Sequence, residues 1–368
     1  MDGLRHRSLS GLCASCSKGR LSSCLRRWPC FRSRCHRLGG LPLINSIKDL
    51  NDFSASFEPD LSVKIGSLTM TNPVGVASGI LGYGEEYKEL VQIDELGALY
   101  TKTVTLEPRE GNPAPRLVET PMGLINSIGL ANPGLECFLR EKLPLLRSHC
   151  CAIIVNIAGS TEDEYAMLVD RIEEELTLSG PMSKTGVDAY EINISCPNVL
   201  KGGMTFGIDP IIVERLTGSL RRRTARPLIA KLSPNVTDIT EIARAAEEGG
   251  ADAISCINTV VGMVIDTDRM KPAIAKGLGG LSGPAIRPIG VAATYRVSHA
   301  VSIPVIGVGG ITRAADAIQY LLAGAQAVQI GTALFSNPLA PQEILNGITE
   351  WMKKHGVLRV HDINSMLK

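Results

Sequence analysis

Tyr190–Glu191–Ile192–Asn193–Ile194–Ser195–Cys196–Pro197–Asn198 reads as a short buried strand that delivers one thiol and two amides to a single point. Tyr190, Ile192 and Ile194 alternate with other residues, and Pro197 ends the run. The segment that follows, Lys201–Gly202–Gly203–Met204–Thr205–Phe206–Gly207, predicts a flexible loop rather than a helix start. Cys196 is thus expected at a strand end under that loop, where barrel enzymes place catalytic residues.

Outward from this strand the chain repeats one unit. Short runs rich in Val, Ile and Ala occur at Val74–Ser78, Ala98–Thr103, Ala152–Ile157, Tyr190–Ile194, Leu228–Leu232, Ala253–Ile257, Val305–Val308 and Ala327–Ile330. Between and after them, amphipathic patterns predict helices over Glu85–Leu96, Gly134–Arg147, Thr161–Leu178, Pro210–Arg222, Thr237–Glu248, Ile286–Ala300, Arg313–Ala323 and Pro341–Lys354. Continuous apolar strands alternating with helices imply a parallel sheet covered on both faces. Eight units over this length predict an α/β fold, a (β/α)8 TIM barrel. Leu61–Ile65 and Leu68–Met70, around Gly66–Ser67, predict a small hairpin ahead of it. An open doubly wound sheet is the competing architecture. It is disfavoured because no Gly-x-Gly-x-x-Gly follows the first strand.

A barrel brings its strand ends to one face. Those ends carry Ser78, Lys102 with Thr103, Asn156, Asn193 to Cys196, Lys231, and Ile257–Asn258–Thr259, then Gly309–Gly310 and Gly331–Thr332. A lone Asn there is most often a turn residue. A lysine inside an apolar strand is harder to explain as packing, because burying its charge is costly unless it is paired. An anionic ligand is a ready partner for Lys102 and Lys231. The glycines after strands seven and eight stand where barrels commonly bind phosphate through backbone N–H groups. Phosphate at one side, with strand-borne lysines and amides facing a ring, suggests flavin mononucleotide (FMN).

The chain has 368 residues, 44% of them hydrophobic, enough for one large core or two modest ones. Its formal net charge of +1 fits neither a nucleic-acid binder nor a polybasic membrane protein. No apolar run is long enough to span a membrane. Charge is unevenly spread: residues 1–40 hold nine Lys/Arg against one acid, Asp2. Five of the ten cysteines also fall there, and the other five are too scattered for a disulfide framework, which suggests a reducing compartment. Residues 1–58 are expected to form an unstructured Arg/Ser/Cys-rich leader, and 59–368 the catalytic barrel. Three readings of the leader stand open: a misassigned upstream start, an organelle transit peptide, or a metal site on Cys13, Cys16, Cys24, Cys30, Cys35 and His36, whose spacing matches no paired zinc pattern. No metal is expected in the barrel.

The stretches Asn72–Gly79, Thr101–Lys102–Thr103, Asn126–Ser127–Ile128–Gly129–Leu130, Glu191–Asn198, Lys231–Asn235 and Leu281–Ser282–Gly283–Pro284 together resemble the dihydroorotate dehydrogenases, from about residue 60 to 356. Cys rather than Ser before Pro197 resembles family 1, and the Lys201–Gly207 loop resembles its NAD-linked subclass. The resemblance implies oxidation of dihydroorotate to orotate in pyrimidine (UMP) biosynthesis. Cys196 would be the base taking the C5 proton while hydride passes from C6 to FMN. A thiol with pKa about 8.5 suits that role. Lys102, Asn126, Ser127, Ile128, Gly129, Leu130, Asn193, Asn258 and Thr259 would bind substrate. Ser78, Lys102, Thr103, Asn156, Asn193, Lys231, Ile257, Gly283, Gly309, Gly310, Gly331 and Thr332 would hold one FMN. Cys256, inside a strand, reads as core.

The subclass implies a partner subunit carrying FAD and a 2Fe-2S cluster that passes electrons to NAD+, with this chain as the homodimeric core of a cytoplasmic heterotetramer. The sequence has no dinucleotide fingerprint and no cluster-type cysteine run outside the leader. Other readings remain: a fumarate-linked dihydroorotate dehydrogenase, a flavin barrel of the dihydropyrimidine dehydrogenase type, or a non-redox phosphate-binding barrel.

Overall fold

The computed structural model describes residues 57–87, 89–180, 184–194 and 206–367. The expected leader lies, up to residue 56, outside the described residues, as do Ser195 to Thr205.

Eight parallel strands close into a barrel. They are β1 (Val74–Val76), β2 (Ala98–Tyr100), β3 (Ala152–Ile157), β4 (Ala189–Asn193), β5 (Leu228–Lys231), β6 (Ala253–Cys256), β7 (Val305–Val308) and β8 (Ala327–Ile330). Each pairs with its sequence neighbour, and β8 returns to β1 through Val328 opposite Val74 and Ile330 opposite Val76. Nearly every strand residue is buried, as both faces of a helix-covered parallel sheet require. All eight runs expected from the sequence are these strands.

Six long helices surround the barrel: α1 (Glu162–Leu178), α2 (Pro210–Arg221), α3 (Ile239–Glu248), α4 (Arg287–Ser298), α5 (Ala314–Leu322) and α6 (Ala340–His355). Their starts follow from local chemistry. Thr161 caps α1 by accepting from the Glu164 N–H at 3.1 Å, Asp209 caps α2 just ahead of Pro210, and Asp238 caps α3. Gly356, in the left-handed region at φ 67°, ends α6. Ahead of the barrel, Val63–Ile65 pairs antiparallel with Leu68–Met70, as expected. The two-residue turn has a positive φ at Gly66, which suits a hairpin.

Two expectations need correction. Glu85–Leu96 is not a helix: it is a series of turns with one 3-10 turn at Ile93–Glu95. Its buried residues Val91, Ile93 and Leu96 are spaced two and then three apart, so they lie on no common α-helical face. The helical stretch after Gly134 is interrupted by a π-helical turn at Phe138–Lys142, between Leu135–Cys137 and Leu143–Leu146.

One larger feature escaped the sequence reading. The long connections after β2 and β6 build a four-stranded antiparallel sheet in the order Val260–Met263, Leu278–Ser282, Gly123–Asn126, Leu117–Thr120. It covers the C-terminal end of the barrel, and Asn126, expected to bind substrate, is the last residue of one of its strands.

Candidate active site

A parallel barrel strand turns alternate residues inward. On β4 the inward set includes Glu191, and that choice organises the barrel interior. Glu191 is fully buried, and its carboxylate accepts hydrogen bonds from four strands. Ser255 Oγ of β6 and Gln329 Nε2 of β8 donate to Oε1, each at 2.8 Å. Asn156 Nδ2 of β3 and Lys231 Nζ of β5 donate to Oε2, at 2.6 and 3.3 Å. A buried carboxylate would be strongly destabilising alone, whereas here every lone-pair direction has a donor and a cation lies beside it. Lys231 thus has a partner inside the protein, where the sequence suggested an anionic ligand. Burial first, and then the Glu191 charge, push the neighbouring Tyr100 phenol well above its ordinary pKa.

Above this layer, at the C-terminal ends of the strands, the described residues enclose a cavity of about 300 Å3. That is the low end of the range for small-molecule sites. Among the expected site residues, Ser78, Lys102, Thr103, Asn126, Ile128, Leu130, Asn193, Lys231, Ile257, Asn258, Thr259, Gly283, Gly309, Gly310, Gly331 and Thr332 line it. Ser127, Gly129 and Asn156 do not line it. Asn156 lies one layer lower, where its Oδ1 accepts from Thr103 Oγ1 at 2.6 Å and so ties the cavity wall to the Glu191 cluster. Ser127 is occupied by its own loop: its N–H donates to the Arg116 carbonyl at 2.8 Å, and its hydroxyl accepts from Asn112 Nδ2 at 2.9 Å.

That loop is held from below by Asn132, a buried residue outside the expected set. Its Nδ2 donates to the Leu130 carbonyl and to Thr105 Oγ1, each at 2.8 Å, while its Oδ1 accepts from the Gly134 N–H at 2.8 Å. The bonds hold Leu130 at φ 56°, a region non-glycine residues seldom adopt. The antiparallel sheet supplies Leu117, Leu124 and Ser282, and Phe335 adds an apolar wall. Only the long-range pairing of that sheet brings Leu117 and Leu124 to the site, so no local pattern marked them.

The cavity contains two cationic side chains. Lys102 is partly buried, and burial lowers its pKa, with Arg116 acting in the same sense and Glu86 opposing. Asn258 Nδ2 donates to Asn193 Oδ1 at 3.4 Å, and the Thr259 N–H donates to Asn258 Oδ1 at 2.8 Å, which fixes the orientation of both carboxamides. Directly after β7, Gly309 and Gly310 have φ 126° and 67°. A Cβ placed at Gly331 would meet only the Ala77 Cβ, at 4.0 Å, and would otherwise project into open space. A glycine with room around it, beside two cations and three carboxamides, fits a phosphorylated ring cofactor such as FMN. Cys256, by contrast, is core, its buried thiol pushed up to about 12. Cys196 lies outside the described residues, as do the expected leader cysteines and His36. Among the described residues, no group of His, Cys, Asp or Glu is arranged to hold a metal ion.

The family model for dihydroorotate dehydrogenase matches residues 60–352. The chain belongs to the dihydroorotate dehydrogenase family. Two relatives of this dihydroorotate dehydrogenase family member are named dihydroorotate dehydrogenase B (NAD(+)), catalytic subunit. The one from Pelobacter propionicus is 48% identical over 311 residues, 84% of this chain and 99% of the relative. The one from Desulforamulus reducens is 50% identical over 308 residues, 84% of this chain and 97% of the relative. The fold is also that of the dihydroorotate dehydrogenase of Eimeria tenella solved with ferulenol. The two share 23% identity with a TM-score of 0.69, over 88% of this chain and 90% of that one. Among the described residues, no helix is long and apolar enough to cross a membrane.

Proposed function

We propose that this dihydroorotate dehydrogenase oxidises dihydroorotate to orotate in pyrimidine biosynthesis, with FMN in the cavity and NAD+ as the final acceptor through a partner subunit. The observation that carries the reading is the convergence of Lys102, Lys231, Asn126, Asn193 and Asn258 with the glycines of β7 and β8 on one cavity. When bound, FMN supplies a hydride acceptor. Ser78, Thr103, Lys231, Ile257 and Gly283 hold its ring side, and Gly309, Gly310, Gly331 and Thr332 its phosphate.

The protein's own groups do the rest. Asn126, Asn193, Asn258 and Thr259 match the alternating donors and acceptors of a pyrimidine edge, which carboxamides suit because each carries both. Lys102 and the loop from Ile128 to Leu130 hold the substrate carboxylate. Cys196, three residues beyond Asn193 in the chain, takes the C5 proton, and a base placed for such a transfer contributes about 10²–10⁴-fold. The partner carries FAD and a 2Fe-2S cluster, and the assembly is a cytoplasmic heterotetramer around a homodimer of this chain.

Purified protein is expected to be yellow, with a flavin spectrum, and to oxidise dihydroorotate with a dye as acceptor. Reduction of NAD+ is expected only with the partner present. Cys196→Ala keeps the flavin and loses at least about a hundredfold in rate near neutral pH. A colourless protein would refute the cofactor, near-normal turnover of Cys196→Ala would refute the base, and fumarate reduction by the isolated chain would refute the acceptor.

A further inference from the structure

Of the four side chains that donate to the Glu191 carboxylate, only Lys231 also lines the cavity. Ser255, Gln329 and Asn156 approach from three other strands, and Gln329 Nε2 further donates to Ser255 Oγ at 3.0 Å, so the donors brace one another as well as the carboxylate. Such a carboxylate is held on both oxygens and shielded from bulk solvent, since Glu191 is fully buried and the Lys231 side chain is 7% exposed. An ion pair in that setting acts at short range and in a low dielectric, where a neighbouring charge is felt far more strongly than in water.

We infer that Glu191 is a positioning residue acting through Lys231: it fixes where the ammonium meets the ring in the cavity by holding it back toward the carboxylate. The inference rests on the flavin reading above. A flavin ring gains electron density on reduction, so a nearby cation favours the reduced form. A carboxylate fixed behind that cation draws the ammonium away from the ring and so moderates the effect through the ammonium's position. Glu191→Gln keeps the side chain's shape and one of its two acceptor oxygens, but removes the charge that holds the ammonium back. The midpoint potential of the bound flavin then moves positive, and Lys231→Met moves it negative.

The test is the flavin midpoint potential, measured by equilibration with reference dyes, of loaded wild type, Glu191→Gln, Lys231→Met and the double variant. The expected result is a positive shift in Glu191→Gln that largely disappears in the Lys231→Met background. An unchanged potential in Glu191→Gln, or an equal shift with and without Lys231, overturns the inference while leaving the flavin assignment intact. Wild type that carries no flavin removes both. Should Glu191→Gln not fold, wild type labelled with 15N-lysine still decides. A pinned Lys231 gives a slowly exchanging ammonium signal that is absent from Lys231→Met, and exchange at the solvent rate contradicts the inference.

Discussion

The Glu191 carboxylate and the Lys231 ammonium meet 3.3 Å apart inside the barrel, on adjacent strands β4 and β5. Each is charged, each is buried, and neither belongs in an apolar strand without the other.

Breaking that pair from one side is expected to be costly. Lys231→Met leaves the carboxylate with three neutral donors, and Glu191→Leu leaves a buried ammonium without its carboxylate, so each should lose about 3–5 kcal/mol of stability. The double variant should lose much less than the sum, because it buries no uncompensated charge. Urea unfolding of the four proteins measures the coupling, and strictly additive losses would show the pair to be incidental.

The glycines of the cavity should separate binding from folding. Gly331→Ala places its Cβ where only the Ala77 Cβ lies within 4.0 Å, so the fold should tolerate it while FMN affinity falls about tenfold or more. Gly75→Ala is the contrast: its Cβ would come within 2.9 Å of the Tyr100 ring and 3.1 Å of the Ala98 carbonyl, so stability suffers instead. Flavin fluorescence titration and thermal melting distinguish the two.

Asn132 does not itself line the cavity, yet it holds the loop that does. Asn132→Ala strips partners from the Leu130 carbonyl, Thr105 Oγ1 and the Gly134 N–H. The expected loss is about 2–3 kcal/mol, from buried polar groups left unpaired. In steady-state assays KM for dihydroorotate should rise more than kcat falls. An unchanged KM would remove the loop from the substrate site.

Two core thiols predict an alkaline limit. Burial pushes Cys151 and Cys256 up to about 12 from the ordinary 9.0. The unfolded chain therefore releases these protons first, and between pH 9 and 12 the folded state binds more of them. Stability contributed by the neutral thiols is complete below pH 9 and is lost as pH rises through that window, at about 1.4 kcal/mol per pH unit for each thiol. Unfolding free energies of wild type and Cys256→Ala at about pH 8 and about pH 11 should therefore converge as pH rises. Parallel lines would show that Cys256 does not titrate there.

The strands of the barrel were legible because each is apolar along its whole length and bounded by polar or glycine-rich ends. Lys102, Asn193, Asn258, Gly309 and Gly331 were legible for a related reason, since strand ends in a barrel must converge. Glu191 stood in the quoted run from the start, and its charge in an apolar strand, with Lys231 charged on the next, was the available signal. The helix expected over Glu85–Leu96 failed because apolar content was taken for helical spacing.

By itself, the sequence determined the order of the barrel strands and which chemical groups stand at their ends, because burial periodicity and glycine placement act locally. Only the tertiary structure decided that Lys231 is balanced by Glu191 rather than by a ligand alone. It likewise decided that Asn156 and Ser127 brace the cavity walls, and that a distant antiparallel sheet roofs the site. Those outcomes depend on registers between strands far apart in the chain, such as Gly280 opposite Asn126, which no local pattern encodes.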